Sequence, residues 1–394
     1  MADTKPWMDP DELQGDDNFL ADYGEDMGRT LDLDTWLPEF ALEQVMDRLT
    51  REISQSVNTE DKLRARIRQE ILPLIRGHPG GPEEAGVYSA EPAQFEAIYQ
   101  SLLFAGRVEA VNGSFASYES LPMGITQIGI AIVGYEGTQG TFSQRLFRKE
   151  MAEKHNHLID EVYDCITRRQ ENSSSTRKAP YSRLARRGIR AYAERTALVD
   201  KARAEWRIGQ GNPCAYDLLT GSGYQRLLDA SLGVLERLVH RHKKFVFVNP
   251  ILEDRGWLTL GTSLRPGEYT VIETLERFGR QVVGRWQYDT GSRQRVARFV
   301  EECCPHILTG VFRTSTQAPP RLFHAHREHV HVAARIAMAD SLLRRERGYP
   351  MLLDMAELTC RSAFGEDGFL GLVQDAYSQV GAGLQFFNDS RSRR

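Results

Sequence analysis

The sequence predicts an α/β fold: a mixed-sheet core with helical insertions and an N-terminal helical extension. Three observations lead there. Val108–Tyr135 holds two apolar runs, the first interrupted at Asn112-Gly113-Ser114 and the second, Ile125–Val133, rich in Ile. They read as adjacent strands, a hairpin near the centre of a sheet, with Asn112 at a strand end. Residues 214–248 then read strand, helix, strand, which implies a parallel crossover pair buried on both faces. Helical periodicity covers Leu37–Ile75 and the last fifty or so residues, so strands and helices alternate in a mixed order.

Taken in order, residues 1–34 read as an acidic tail without regular structure, either a solubilising extension or a peptide that docks on a basic surface. Residues 35–82 form the helical region and linker. Leu37, Phe40, Leu42, Val45, Met46 and Leu49 make one stripe, and Leu63, Ile67, Ile71, Leu72 and Ile75 a second, with Asn58 or Thr59 able to cap the second helix. The breakers at Gly77–Pro82 close that region, and residues 83–394 follow as the core domain. A helix at about Ala93–Ala105 precedes the strand pair. Residues 144–169 read as helical, Glu171–Thr176 as a Ser-rich loop, and Pro180–Trp206 as a second helix. Cys214–Leu219 reads as a strand ending in Thr220-Gly-Ser-Gly, followed by a helix at Tyr224–His240 and the apolar strand Lys244–Val248. Leu258–Leu264 and Tyr269–Leu275 are short elements, and Val282–Tyr288 and Val296–Val300 an antiparallel pair around a turn at Thr290–Ser292. Helices at Leu322–Arg345, Met351–Phe364 and about Phe369–Gly381 complete the chain.

The 394 residues carry a net charge of −4, which hides an asymmetry. Residues 1–40 hold twelve Asp/Glu against Lys5 and Arg29, while residues 177–207 hold ten Lys/Arg against Glu194, Asp200 and Glu205. Arg183, Arg186, Arg187 and Arg190 fall at helical spacing and can share a face. With so few acids nearby in sequence to neutralise it, contact with phosphates is favoured for that face over the alternative, a solvated ion-paired surface. The five cysteines show no paired spacing, which fits a reducing cytoplasm. No secretory signal or membrane-length apolar run is present. His324, His326, His329 and His331 lack metal-protease spacing and read as partly exposed helix histidines. P-loop, dinucleotide and nucleophile-elbow motifs are absent. Thr220-Gly-Ser-Gly at a helix start can attract an anion, but such a turn is not specific.

Three short motifs in order, EAVNGS, YDLLTGSG and RERGYPMLLDMAE, resemble those of the NurA family of DNA-end-processing nucleases. The resemblance covers about residues 95–394. It implies an RNase H-like core, a homodimer, DNA as substrate and a HerA-type hexameric ATPase as partner, in DNA repair or anti-phage defence. It also implies Mn²⁺ or Mg²⁺ as cofactor if the chain is active. Carried over position by position, the catalytic set is Asn112, Glu194 (with Glu205 behind it), Thr220, Tyr349 and Glu357. The first two strand-end aspartates of the family fall on Asn112 and Thr220, and its histidine on Glu357. Hard divalent cations want anionic oxygens, so an amide and a hydroxyl in place of two carboxylates imply impaired cleavage. The expectation is a DNA-processing subunit with a degenerate site. The alternative is an active nuclease using a displaced metal set of Glu194, Asp217 and Glu357.

Overall fold

A computed structural model of the chain describes residues 16–36, 42–120, 123–148, 158–167 and 178–384. The chain divides into two units, Met1–Leu63 and Arg64–Arg394. Within the first, the part of the acidic segment that is described carries α1 (Asp16–Tyr23) and α2 (Met27–Leu31), where composition suggested no regular structure. Asp26 accepts from the Arg29 N–H at 2.9 Å and so caps α2. Helix α3 (Leu42–Arg66) then runs straight through the expected cap at Asn58–Thr59. Thr59 instead donates its hydroxyl to the Gln55 carbonyl at 2.9 Å, which lets a good capping residue sit inside a helix.

The second unit is built on a sheet. In chain order come β1 (Gly86–Ser89), α4 (Pro92–Ile98), β2 (Val108–Glu119), β3 (Gly124–Gly134), β4 (Gly137–Arg148), α5 (Leu158–Thr167) and α6 (Lys178–Thr196). Next are β5 (Trp206–Gln210), α7 (Tyr216–Leu219), α8 (Gln225–Arg237), β6 (Phe245–Val248), α9 (Arg255–Thr262) and β7 (Glu268–Thr274). The chain continues through α10 (Glu276–Arg285), α11 (Thr290–Cys303), β8 (Ile307–Phe312), β9 (Arg321–His326), α12 (Val330–Leu342), α13 (Met351–Phe364) and α14 (Glu366–Gln379). The nine strands lie in the order β1-β7-β8-β9-β6-β5-β2-β3-β4. β2, β5 and β6 run parallel, and the other neighbours are antiparallel.

β3, GITQIGIAIVG, is buried at every residue, so it needs cover on both faces. Apolar residues of α12 and α13 pack with Val108, Ala110 and Ile208 on one face, and those of α6, α8 and α11 pack with Val111, Ile132 and Phe247 on the other. Helix α13 lies so close that a Cβ on Gly129 would come within 2.5 Å of the Phe364 ring. Only glycine leaves room there. Before each of β2, β5 and β6 the preceding helix widens into a π-helical turn, at Tyr99–Leu103, Ala197–Lys201 and Leu238–His242. The turns close through Phe104 N to Tyr99 O, Ala202 N to Ala197 O and Lys243 N to Leu238 O, at 2.9, 2.8 and 3.0 Å.

Several elements differ from the sequence reading. Residues 144–148, expected to open a helix, instead end strand β4, which finds partners along β3 that periodicity cannot reveal. Cys214–Leu219 is a loop and the short helix α7; the strand that pairs with β2 and β6 is the earlier Trp206–Gln210. Residues 258–262 belong to helix α9, and Val282–Arg285 ends α10 while Val296–Val300 lies within α11, rather than the two forming strands. Buried Val296, Phe299, Val300 and Cys303 make a helical stripe, and Asp289 caps α11 by accepting from the Ser292 N–H at 3.0 Å, so the supposed turn is a helix start. The helix expected from Leu322 begins only at Val330, after strand β9. Among the described residues no helix is long and apolar enough to cross a membrane.

Candidate functional site

Asn112 is not at a strand tip: β2 continues seven residues past it to Glu119, because Gly113–Glu119 all pair with β3. The strand alternates, so Asn112 and Ser114 face α13 while Gly113 faces α6. Asn112 Nδ2 donates to the Leu353 carbonyl at 3.4 Å, and its Oδ1 accepts from the Gly113 N–H at 2.8 Å. Ser114 Oγ lies 3.1 Å from Cys360 Sγ on α13. On the other face, the missing side chain of Gly113 makes room for Glu194: a Cβ there would sit 2.7 Å from Glu194 Oε1.

Glu194 is buried and held by arginines. Arg195 Nη1 donates to its Oε2 at 2.7 Å, and Arg190 Nε lies 3.4 Å from its Oε1. Arg195 is itself buried and also donates to the carbonyls of Gln210, Asn212 and Pro213, at 3.2, 2.6 and 3.4 Å. It stacks on the Phe247 ring at 4.8 Å. Burial pushes its guanidinium below the usual range, and the Glu194 carboxylate opposes that. Through its bonds to those three carbonyls Arg195 ties α6 to the end of β5 and the loop after it.

The end of β5 supplies the residue that sequence reading missed. Val111 pairs with Gly209 in parallel register, so the next positions, Asn112 and Gln210, lie side by side on neighbouring strands and face the same way. Gln210, not Thr220, is the strand-end partner of Asn112. The signal was a short apolar run before Gly211-Asn212-Pro213, masked by the helical pattern running into it. Gln210 opens into a cavity of about 750 Å³ that Gly113, Phe115, Arg190, Glu357 and Arg361 also line. Arg190 lies over the half-exposed Phe115 ring at 5.1 Å.

Other expected residues lie elsewhere. Thr220 Oγ1 donates to the Tyr216 carbonyl at 2.9 Å and accepts from the Ser222 N–H at 3.2 Å, a local cap. Asp217 is buried beside Arg187, 3.0 Å away, and burial pushes its carboxyl up against that pairing. Tyr349 is buried, with no hydrogen-bond partner for its hydroxyl among the described residues, its ring flanked by the Arg321 and Arg347 guanidinium groups at 5.4 and 5.9 Å. Glu357 is in the cavity wall, paired with Arg361 at 2.6 Å. Glu205 pairs with Arg107 and Lys244. The basic helix also differs from its local sequence. Tertiary neighbours supply missing acids, Glu119 at 3.7 Å from Arg186 and Asp217 at 3.0 Å from Arg187, while Glu194 meets Arg190 one turn along the same helix. The Arg183 side chain lies outside what is described.

The four histidines do not share a helix. His324 and His326 are buried on β9, His324 Nδ1 bonding Thr309 Oγ1 at 2.9 Å, while His331 on α12 bonds the Tyr269 hydroxyl at 2.9 Å. Burial pushes His324 down to about 3 and His326 to about 4, so both are neutral at physiological pH.

A divalent metal does not fit this donor set. Asn112 and Gln210 are neutral, and Glu194 is already neutralised by arginine. Among the described residues no three His, Cys, Asp or Glu side chains come together to hold an ion. Glu194, Asp217 and Glu357 therefore do not form the displaced set that the sequence allowed.

No protein-family model and no curated protein matches the chain. Among solved structures, the fold is similar to the NurA nuclease from Sulfolobus solfataricus at 11% identity, over 85% of this chain and 97% of that one, with a TM-score of 0.45. A NurA structure bound to dAMP and manganese is similar at 8% identity, over 81% of this chain and 93% of that one, with a TM-score of 0.41. Endonuclease V from Bacillus subtilis is similar at 10% identity, over 70% and 92% of the two chains, with a TM-score of 0.30.

Proposed function

We propose that this chain is a NurA-like DNA-binding subunit that partners a HerA-type hexameric ATPase and whose own metal-dependent cleavage is impaired. The observation that carries this reading is the pair of amides, Asn112 and Gln210, side by side where the parallel pairing of β2 with β5 ends, with Glu194, on the opposite face of β2, bound by Arg195 and Arg190. Hard cations at a phosphodiester-cleaving centre depend on bridging carboxylates, and this centre offers none that is free of arginine. Arg190 over Phe115, at the mouth of a large cavity, suits a phosphate next to a base. The ATPase partner, the homodimer and the setting in repair or defence follow from the motif resemblance. Glu357 in the same cavity wall favours the second reading, an active Mn²⁺- or Mg²⁺-dependent nuclease.

The two readings separate in one experiment on the purified full chain. DNA binding is measured in EDTA over a range of salt, and linear DNA degradation in Mn²⁺ with and without the ATPase, beside a Glu194→Ala variant. Salt-sensitive binding without degradation is the expected result. Degradation that needs Mn²⁺ and disappears in the variant would establish the nuclease, and absence of binding at every salt concentration would remove DNA as the ligand.

A further inference from the structure

Helix α5 carries an apolar face that is open to water. Ile159, Val162, Tyr163 and Ile166 recur at helical spacing, so they share one side, and they are 57–80% exposed. A contiguous apolar surface of this kind marks a place where something docks. The sequence of the helix, LIDEVYDCIT, also holds three acids and no base.

A groove of matching character lies between the two elements that α5 connects. Ile128 and Ile130 of β3 with Phe142 of β4 form one wall of this cavity of about 240 Å³, and Ile189, Tyr192 and Ala193 of α6 form the other. Lys201 is the one charged residue that lines it, and no residue of α5 does. The helical wall runs from Ile189 to Ala197, about 12 Å long, and the apolar face of α5 from Ile159 to Ile166 is about 11 Å long. Ala193 and Ala197, one turn apart in that wall, let a second helix approach closely. Beside the groove, β4 is the last strand of the sheet and pairs with β3 alone among the described residues, so its outer edge is open to another chain.

We propose that two copies of this chain associate by exchange, the apolar face of α5 from each copy filling the β4–α6 groove of the other. The inference gives the homodimer of the reading above its contact surface and rests on that part of the reading alone. In its own chain α5 leaves the groove open. Nine residues separate it from β4 and ten from α6, and each connection spans at most roughly 30 Å, enough to reach a neighbour whose β4 edge lies alongside. Each copy gives one helix and takes one, so the contact closes at two copies. The acids of α5 meet Lys201 there and no carboxylate among the lining residues. Arg190 and Glu194 project from the same turns of α6 that form the groove, so the partner's helix braces the segment that places them at the centre.

Size-exclusion chromatography with light scattering on the purified full chain, without DNA, reads the mass across protein concentration. The wild type is expected to pass from 44.7 kDa at high dilution to twice that mass. Ile159→Ser with Ile166→Ser removes the helix face and Ala193→Arg blocks the groove, and each change is expected to weaken dimerisation at least about tenfold. Should circular dichroism show that Ala193→Arg unfolds the chain, Phe142→Ser takes its place. A mixture of the helix variant with the groove variant joins one intact helix to one intact groove, and is expected to dimerise more tightly than either variant alone. Dimerisation unchanged in both variants, or no recovery in the mixture, sinks the exchange and leaves the homodimer standing. A wild type that stays at 44.7 kDa throughout sinks both, and leaves the DNA-binding reading untouched.

Discussion

Asp340 sits fully buried on α12, where its carboxyl accepts from the Leu352 N–H at 3.0 Å and from the Tyr135 hydroxyl. It thereby joins α12, the end of β3 and the first turn of α13, the helix that carries Glu357. Burial pushes its pKa from 3.8 up to about 7, more than its two hydrogen bonds lower it. The direction of the linkage follows. Below pH 3.8 both folded and unfolded chains hold the proton, and the group has no effect on stability. Between 3.8 and about 7 the unfolded chain releases it while the folded chain keeps it, so stability falls as pH rises, and above 7 the full cost of a buried charge remains. The gap between the two values, at about 1.4 kcal/mol for each pKa unit, corresponds to a cost on the order of 4 kcal/mol. Asp340→Asn keeps an acceptor for Leu352 and removes the titration. Urea denaturation of both proteins from pH 4 to pH 9 measures the difference. The variant is expected to gain on the wild type progressively from pH 4 and to level off above pH 7. A difference that is flat with pH, or one that narrows as pH rises, would refute the reasoning.

Gly129→Leu forces a side chain into the Phe364 ring and is expected to lower stability by about 1–3 kcal/mol, read as a drop in the denaturation midpoint. Arg195→Met strands Glu194 and three carbonyls without their donor, and is expected to cost about 3–5 kcal/mol, whereas Arg298→Met on exposed α11 is expected to cost under about 1 kcal/mol. Asn112→Asp with Gln210→Asp brings two carboxylates side by side on adjacent strands, so Mn²⁺ is expected to raise the melting temperature of the double variant and not that of the wild type. Equal Mn²⁺ shifts in the two proteins would refute the placement of Gln210.

The central strand pair was legible because Ile125–Val133 is too apolar and too β-branched to be anything but a buried strand. α13 and the parallel β6 were legible for similar reasons. Five-residue β5 was not: Trp206–Gln210 follows a helix without a breaker, and its pattern suits either state. That single miss moved the second strand end from Gln210 to Thr220. β9 was hidden by Arg321, His324 and His326, polar residues whose burial depends on partners such as Thr309 and the backbone of Pro250, Arg347 and Gly348. The basic face of α6 was read from its own sequence, where the acids that meet it, Glu119 and Asp217, are distant. Ion pairing across a fold leaves no local signal.

The π-helical turns that precede β2, β5 and β6 each hold one residue more than an α-helical turn would need. They act as slack in the chain, placed immediately upstream of the strands that carry the centre. A one-residue deletion inside Ala197–Lys201 can be absorbed by tightening the turn to ordinary α-helix, leaving Gln210 beside Asn112. The same deletion inside Trp206–Gln210 has no such reserve, and every side chain after it changes face. A one-residue deletion is therefore expected to leave the fold standing one turn before these strands and to unfold it within them.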